Sequence, residues 1–170
     1  MKNIYIYGYM GTGKTTVSRI LAEKLGASFI DTDALIEQRE KRTISQIFAE
    51  SGEEYFRTLE KSVLKEIDAM DGFVVSCGGG MPLERENREI LSSSGSAFWL
   101  TADPGEIFRR ISEDRTRPLL ADNMTENHIR AMLADRTSCY EEAGGVKTAT
   151  DGRTPDEVAE SILKNLEKNH

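Results

Sequence analysis

The chain has 170 residues, of which 38% are hydrophobic and 30% are charged, a composition typical of one soluble globular domain. It carries 22 lysines and arginines against 29 aspartates and glutamates, so its formal net charge is −7. This acidic balance argues against a protein that binds nucleic acid or anionic membranes through general charge attraction. If the chain binds phosphate, we expect basic residues to be concentrated in one cleft.

The cysteine content and the hydropathy pattern indicate a cytoplasmic protein. Cys77 and Cys139 are too few for a disulfide framework, so we expect two reduced thiols. No apolar run approaches the ~20 residues of a membrane-spanning helix. The short apolar segment near the N-terminus lacks a cleavage site and runs into a glycine loop, so we interpret it as a strand rather than a signal peptide.

Short apolar segments alternate with amphipathic ones, which predicts a parallel sheet with helices on both faces. Strands are predicted at residues 3–7, 27–30, 73–76, 97–101 and 146–150. Helices are predicted at residues 14–25, at 43–69 with a break at Gly52, at 86–91, from 103, at 125–140 and from 154. Residues 113–124 are charged and contain Pro118, so we expect a mobile loop there.

Residues 8–15 read GYMGTGKT and fit the nucleotide-binding pattern G-x-x-x-x-G-K-[ST], or P-loop. Glycines let backbone N–H groups converge on phosphate oxygens, and the start of the next helix adds partial positive charge. Lys14 can reach the β- and γ-phosphates, and the Thr15 hydroxyl can bind Mg²⁺. The alternative is a plain glycine turn, but the predicted strand before the loop and helix after it favour nucleotide binding.

Asp31 and Asp33 end the second predicted strand, where parallel sheets bind ligands. Placed one residue apart on a strand, the two carboxylates share a face. A kinase needs one acid near Mg²⁺ and another to orient or deprotonate the acceptor hydroxyl. The alternative is that Asp33 caps a helix.

Glycines and arginines provide further candidates. Gly78, Gly79 and Gly80 exceed what a tight turn needs, so we expect close approach of the backbone to a ligand, with a flexible turn as the alternative. Arginine suits carboxylate and phosphate groups, although a given arginine is often merely a surface residue. The candidate anion contacts are Arg57, Arg110, Arg115, Arg117, Arg136 and Arg153.

These motifs in this order resemble the shikimate kinase family over nearly the whole chain. The matching residues are the P-loop, the segment 29–33, Ile36-Glu37, Ile44, Ile47-Phe48, Gly52-Glu53, Phe56-Arg57, Glu60, Ser76, the three glycines, the segment 117–120, Arg136, Tyr140, Thr148, Arg153 and Pro155. One departure is Ser138, where the family usually has proline, and it bears on the geometry of Arg136.

The resemblance implies a role for each candidate on the acceptor side. Asp33 would bind the acceptor hydroxyl and act as the base. Arg57 and Arg136 would hold the shikimate carboxylate, with Gly79 contacting the substrate through its backbone and Gly78 and Gly80 beside it.

The nucleotide side is implied in the same way. Gly11, Thr12, Gly13, Lys14, Thr15 and Thr16 would bind the ATP phosphates. Arg110 and Arg153 would flank the adenine, and Arg117 would close over the phosphates from a lid at residues 113–124. Thr15 would ligate Mg²⁺ directly, with Asp31 and Ser76 acting through water.

The family fold is that of nucleoside monophosphate kinases, with a five-stranded parallel sheet in the order 2-3-1-4-5. We therefore expect one kinase domain over residues 1–170, monomeric, with substrate-binding helices at about 33–61. The implied reaction is transfer of the γ-phosphoryl group of MgATP to the 3-hydroxyl of shikimate. The alternatives are a gluconate-type or nucleotide kinase of the same fold, and a nucleotide-binding module without catalysis.

Overall fold

A computed structural model describes residues 1–113 and 125–169, so the predicted lid from 114 onward and its Arg115 and Arg117 lie outside the described residues. Five strands form one parallel sheet in the order β2-β3-β1-β4-β5, as the resemblance implied. The strands are β1 Ile4–Gly8, β2 Ser28–Asp31, β3 Phe73–Ser76, β4 Ala97–Thr101 and β5 Val146–Ala149. Their bounds differ from the predicted ones by at most one residue.

Helices connect the strands and cover the sheet. They are α1 Lys14–Leu25, α2 Thr32–Glu40, α3 Ile44–Ser51, α4 Glu53–Asp68, α5 Arg85–Ser93, α6 Pro104–Glu113, α7 Glu126–Glu142 and α8 Pro155–Lys168. A short 3₁₀ turn, Met81–Leu83, lies between β3 and α5 and was not predicted. Within the described ranges, no helix combines the length and hydropathy of a membrane span.

The central strand β1 shows why the sheet is buried on both faces. Ile4 and Ile6 pack in one apolar cluster with α1 and α8. Tyr5 and Tyr7 alternate with them and pack in the other cluster, with α4 and α7. A strand that is apolar on both faces is what a parallel sheet between two helical layers requires.

Side-chain caps fix several helix starts. Thr43 accepts a hydrogen bond from the Gln46 N–H, and the Gln46 side chain accepts from the Thr43 N–H, so this capping box starts α3. Thr154 likewise accepts from the backbone N–H of Glu157 at the start of α8. In both places the cap lies where α3 and α8 were predicted to begin.

The placement of Asp33 on a strand was wrong. The strand β2 ends at Asp31, and the Asp31 carboxylate accepts the backbone N–H of Ala34 at 3.0 Å as the cap of α2. This cap satisfies an otherwise unpaired donor and starts the helix directly after the strand. Asp33 therefore lies in the first turn of α2, and the capping residue is Asp31 rather than Asp33.

Candidate active site

The P-loop at residues 8–15 joins β1 to α1, as its sequence predicts. A Cβ on Gly8 would collide with a backbone carbonyl of β4, and Gly13 has φ of 88°, so both positions require glycine. Lys14 Nζ donates to the carbonyl oxygens of Gly8 at 2.9 Å and Tyr9 at 3.1 Å. The loop is thus compact, and it presents the positive end of α1 to the cleft beside it.

A cleft of about 950 Å³ lies at the carboxyl ends of the strands, large enough for two small ligands. Gly78 is buried against Asp33 rather than lining it, and Arg117 lies outside the described residues. The predicted residues that line it are Gly11, Thr12, Gly13, Lys14, Thr15, Thr16, Asp31, Asp33, Arg57, Ser76, Gly79, Gly80, Arg110, Arg136 and Arg153. One cavity therefore brings together the P-loop and the candidate acceptor residues.

Three residues with oxygen-bearing side chains line the cleft beside the P-loop. Thr15 Oγ1 donates to Asp31 Oδ2 at 2.9 Å, and Ser76 is paired with Asp31 in the register of β2 and β3. Hydroxyl and carboxylate oxygens are the ligands that Mg²⁺ prefers, usually together with phosphate and water. In the described part of the chain, no three histidine, cysteine, aspartate or glutamate side chains form a metal cage. The donor set fits a Mg²⁺ that completes its shell with nucleotide oxygens.

Asp33 has the environment of a reactive carboxyl. Burial, and then the nearby Asp31, raise its pKa to about 6, while the positive charge of Lys14 opposes the shift. A carboxyl with a raised pKa in a cleft, close to a cation, is common at functional sites. Its location therefore suits a group that exchanges a proton with a bound ligand.

Arg57 is held by a buried partner. Its Nη1 donates to Glu60 Oε1 at 2.5 Å, and the side chains are 12% and 1% exposed. On its other side, Nη2 contacts the exposed Glu53 at 3.3 Å. Burial raises the pKa of Glu60 to about 7, and the charge of Arg57 opposes this rise. The guanidinium is thereby fixed at the wall of the cleft.

The glycine turn at residues 78–80 packs closely against the side chains of Asp33 and Arg57. A Cβ on Gly78 would lie 2.5 Å from Asp33 Oδ1, and one on Gly80 would overlap the Arg57 guanidinium. A Cβ on Gly79 would meet neighbours at ordinary distances of 3.6 Å or more. We predicted that this backbone closely approaches a ligand. Among the described residues, the groups that it approaches closely are the side chains of Asp33 and Arg57.

Two residues of helix α7, Arg136 and Tyr140, each contact one of the glycine-rich loops. The Arg136 guanidinium carbon lies 5.7 Å from the ring centre of Tyr9, which belongs to the P-loop. One turn later, Tyr140 Oη donates to the Gly79 carbonyl at 2.8 Å. Ser138 is exposed within the unbroken helix, so the absent proline leaves the path of α7 regular.

Two further arginines among the predicted site residues line the cleft near β4 and β5. Arg110 donates from Nη1 to the Gly11 carbonyl at 3.2 Å and to Thr150 Oγ1 at 3.0 Å. Arg153 donates from Nη1 to the Ala149 carbonyl at 2.9 Å. Both lie on the sheet side away from Asp33, because the order of the strands puts β1 between them.

Sequence reasoning assigned no role to Glu60 or Tyr9. Glu60 did carry a signal, because it falls in the apolar stripe of α4 with Phe56, Val63 and Leu64, where an acid needs a buried partner. Tyr9 occupies a freely variable position of the P-loop pattern, so nothing in the motif indicated its contact with Arg136.

Comparison with known proteins gives a consistent result. A family model described as shikimate kinase matches residues 10–167. A shikimate kinase from Thermodesulfovibrio yellowstonii is 41% identical over 168 residues, covering 99% of this chain and 96% of that protein. One from Sulfurihydrogenibium sp. is 38% identical over 168 residues, covering 99% of each.

Solved structures extend the comparison. Shikimate kinase from Acinetobacter baumannii in complex with shikimate superposes with a TM-score of 0.91 at 37% identity, covering 99% of this chain and 94% of that one. A gluconokinase from Sinorhizobium meliloti superposes with a TM-score of 0.60 at 18% identity, covering 99% and 94%, a likeness that concerns the fold alone. By the family match, the near-complete coverage and the identity to its members, this chain belongs to the shikimate kinase family.

Proposed function

We propose that the protein transfers the γ-phosphoryl group of ATP to the 3-hydroxyl of shikimate, giving shikimate 3-phosphate and ADP for aromatic amino acid biosynthesis. One observation carries this proposal: Lys14, Asp33, Arg57 and Arg136 line the same cleft. A P-loop alone would support nucleotide binding. A carboxylate and two guanidinium groups beside it supply what a hydroxylated carboxylic acid needs.

On the nucleotide side, backbone N–H groups of the P-loop and the start of α1 bind the phosphates. Lys14 exchanges carbonyl contacts for the β- and γ-phosphates and stabilises charge on the transferred group. Thr15 would hold Mg²⁺, with Asp31 and Ser76 acting through water. When bound, Mg²⁺ would supply positive charge that neutralises the phosphates.

On the acceptor side, Arg57 and Arg136 hold the carboxylate, and the Gly79 backbone contacts the ring substituents. Asp33 accepts a hydrogen bond from the 3-hydroxyl and directs its oxygen at the γ-phosphorus. The new O–P bond forms as the bond from that phosphorus to the bridging oxygen of ADP breaks. The hydroxyl proton passes to Asp33.

The remaining roles rest on the resemblance. We assign residues 1–170 to one kinase domain, residues 33–61 to acceptor binding and residues 113–124 to a lid. Arg117, which belongs to the part of the chain that is not described, is assigned to the phosphates, and Arg110 and Arg153 to the adenine. A cytoplasmic monomer completes the proposal, and sedimentation at micromolar concentration checks the monomer.

The direct test is ADP release in a coupled assay with Mg²⁺ and ATP. Shikimate should stimulate release, whereas gluconate and nucleoside monophosphates at equal concentration should not. Lys14→Ala should lose nearly all turnover, because it removes a cation from the transferring phosphate. Absence of shikimate-dependent ADP release, or stronger stimulation by gluconate, would overturn the proposal.

A further inference from the structure

Glu60 is a buried acid in the cleft that the proposed reaction does not use directly. Its Oε1 accepts the hydrogen bond from Arg57, but its Oε2 is buried and has no hydrogen-bond partner among the described residues. Leaving an ionised carboxylate oxygen buried without a donor is unfavourable, since water would otherwise solvate it. A second state of the cleft that satisfies Oε2 would remove this cost.

Charges of both signs face Glu60 in the absence of ligand. The groups that face it are Arg57 on its own helix, Asp33 on α2, Arg136 on α7 and the Cys77 thiol after β3. Beyond these, Lys14 acts on Asp33 and on Cys77, and Glu53 contacts Arg57 from its exposed side. Burial raises the pKa of Glu60 to about 7, so near neutrality the ionised and protonated forms are close in free energy.

An acceptor that brings its own carboxylate changes these interactions. Held by the same two guanidinium groups, it competes with Glu60 for their positive charge in a largely buried place. A like charge at short range disfavours ionisation of its neighbours. Glu60 is the natural site for a compensating proton, because Asp33 is stabilised in its ionised form by Lys14 and must receive the hydroxyl proton.

We propose that binding of the acceptor carboxylate at Arg57 is coupled to uptake of one proton from solvent by Glu60. The neutral acid keeps Oε1 as an acceptor for Arg57 and offers the new Oε2–H to the ligand. Glu60 returns the proton to solvent when the product leaves, so the net reaction is unchanged. This inference rests on the proposed function, because it takes the acceptor to be a carboxylic acid held by Arg57.

The direction of the pH effect follows from linkage. Below pH 7 the free protein already carries most of the proton, so binding takes up little. Above pH 7 the free protein has an ionised Glu60, and each bound acceptor must bring in a proton. Acceptor affinity should therefore fall as the pH rises above 7, by up to about tenfold per pH unit.

Calorimetry tests this coupling directly. Shikimate is titrated into the protein without nucleotide, at pH 8, in HEPES, tricine and Tris, which differ in ionisation enthalpy. The slope of the binding heat against that enthalpy gives the protons taken up, and we expect about 0.9 per acceptor. At pH 6 the value should fall below about 0.2. Binding without uptake at pH 8 would overturn the inference.

Variants identify the group. Glu60→Gln removes the titrating group at nearly constant shape, and should reduce uptake at pH 8 to below about 0.2 with an affinity that no longer depends on pH. Glu53→Gln, on the exposed side of the same arginine, is the matched control and should keep full uptake. Uptake that survives Glu60→Gln but disappears in Asp33→Asn would refute the assignment.

These experiments distinguish failure of the proton coupling from failure of the proposed kinase function. If Glu60→Gln does not fold, as judged by circular dichroism, Asp33→Asn decides: uptake at pH 8 that persists in this variant supports Glu60, and uptake that disappears refutes the assignment. If shikimate produces no binding heat in any of the three buffers, the acceptor itself is wrong, and both proposals fall. Binding without uptake refutes the proton coupling and leaves the kinase activity standing.

Discussion

Asp33 owes its position to Asp31. The Asp31 carboxylate accepts the Ala34 N–H and so ends β2 and starts α2 within one residue. Asp33 then lies in the first helical turn, beside Gly78, where any side chain would collide with its carboxylate. A single capping interaction therefore places the proposed base in the cleft.

Asp33→Asn should lower kcat by about 100-fold or more while leaving ATP affinity nearly unchanged. The amide keeps the shape and can still contact the hydroxyl, but it cannot take its proton. Steady-state kinetics with varied shikimate, together with equilibrium binding of ATP, separates the two effects.

The matched control is Glu37→Gln. Glu37 lies one turn further along α2, lines the cleft, and accepts the backbone N–H of Ile44 at 3.0 Å, a contact that glutamine keeps. It should retain a kcat close to that of the unmodified protein. Equal kcat values for the Asp33 and Glu37 variants would remove Asp33 from the chemistry.

At the scale of single residues, the sequence predicted which residues form the candidate site better than it predicted the contacts that they make. Lys14 and Thr15 could be assigned because the P-loop pattern fixes both residue type and spacing. The partnership of Arg57 with Glu60 could be suspected from their spacing on α4, but not the unpaired oxygen. The contact of Arg136 with Tyr9 joins residues far apart in the chain, which no local pattern encodes.

At the scale of elements, the glycine turn after β3 packs against one side chain of α2, Asp33, and one of α4, Arg57. Gly80→Ala would push a methyl group into the Arg57 guanidinium, which the buried Glu60 holds in place. Because the guanidinium must move, we expect the KM for shikimate to rise about tenfold or more, as a displaced charged hydrogen bond is worth roughly 1.5–3 kcal/mol. The KM for ATP should change little.

Gly105→Ala on α6 is the control for this substitution. A Cβ there would come no closer than 3.2 Å to the flexible end of Glu126, and alanine favours a helix. Its kinetic constants should match those of the unmodified protein. A Gly80 variant with an unchanged KM for shikimate would show that Arg57 does not hold the acceptor.

Element boundaries could be predicted where a side chain or glycine marks them, as at Thr43, Gly52 and Thr154. Boundaries could not be predicted where the sequence signal is ambiguous. Asp31-Thr32-Asp33 reads equally well as a strand end or as a helix cap, and the choice depends on which carboxylate captures the Ala34 N–H. Lys41 follows the last residue of α2 in the left-handed conformation, with φ of 54°. Lysine rarely adopts this conformation, so its presence does not predict the end of a helix.

For the whole molecule, the order of the strands arranges the chemistry. The P-loop follows β1 at the centre, Asp31 and the glycine turn follow β2 and β3 on one side, and α6 and α8 follow β4 and β5 on the other. The chain carries a net charge of −7, yet six of its basic residues line the cleft. These are Lys14, Arg57, Arg109, Arg110, Arg136 and Arg153. They share the cleft with five acidic residues, Asp31, Asp33, Glu37, Glu60 and Glu106. The expected concentration of basic residues in one cleft is thus confirmed.

Because the proposed function gives ATP and shikimate separate anchors in one cleft, stabilisation by each ligand should be removable independently. A ligand at 100 times its Kd stabilises the folded state by about 2.7 kcal/mol, which raises Tm by about 5–10 °C for a chain of this size. Thermal melts should show ATP stabilising Arg57→Ala but not Lys14→Ala, and shikimate stabilising Lys14→Ala but not Arg57→Ala. Each variant thus serves as the other's control for folding. If either substitution removed both responses, the phosphate and acceptor sites could not be energetically separate, and the division of the cleft drawn from the sheet order would be wrong.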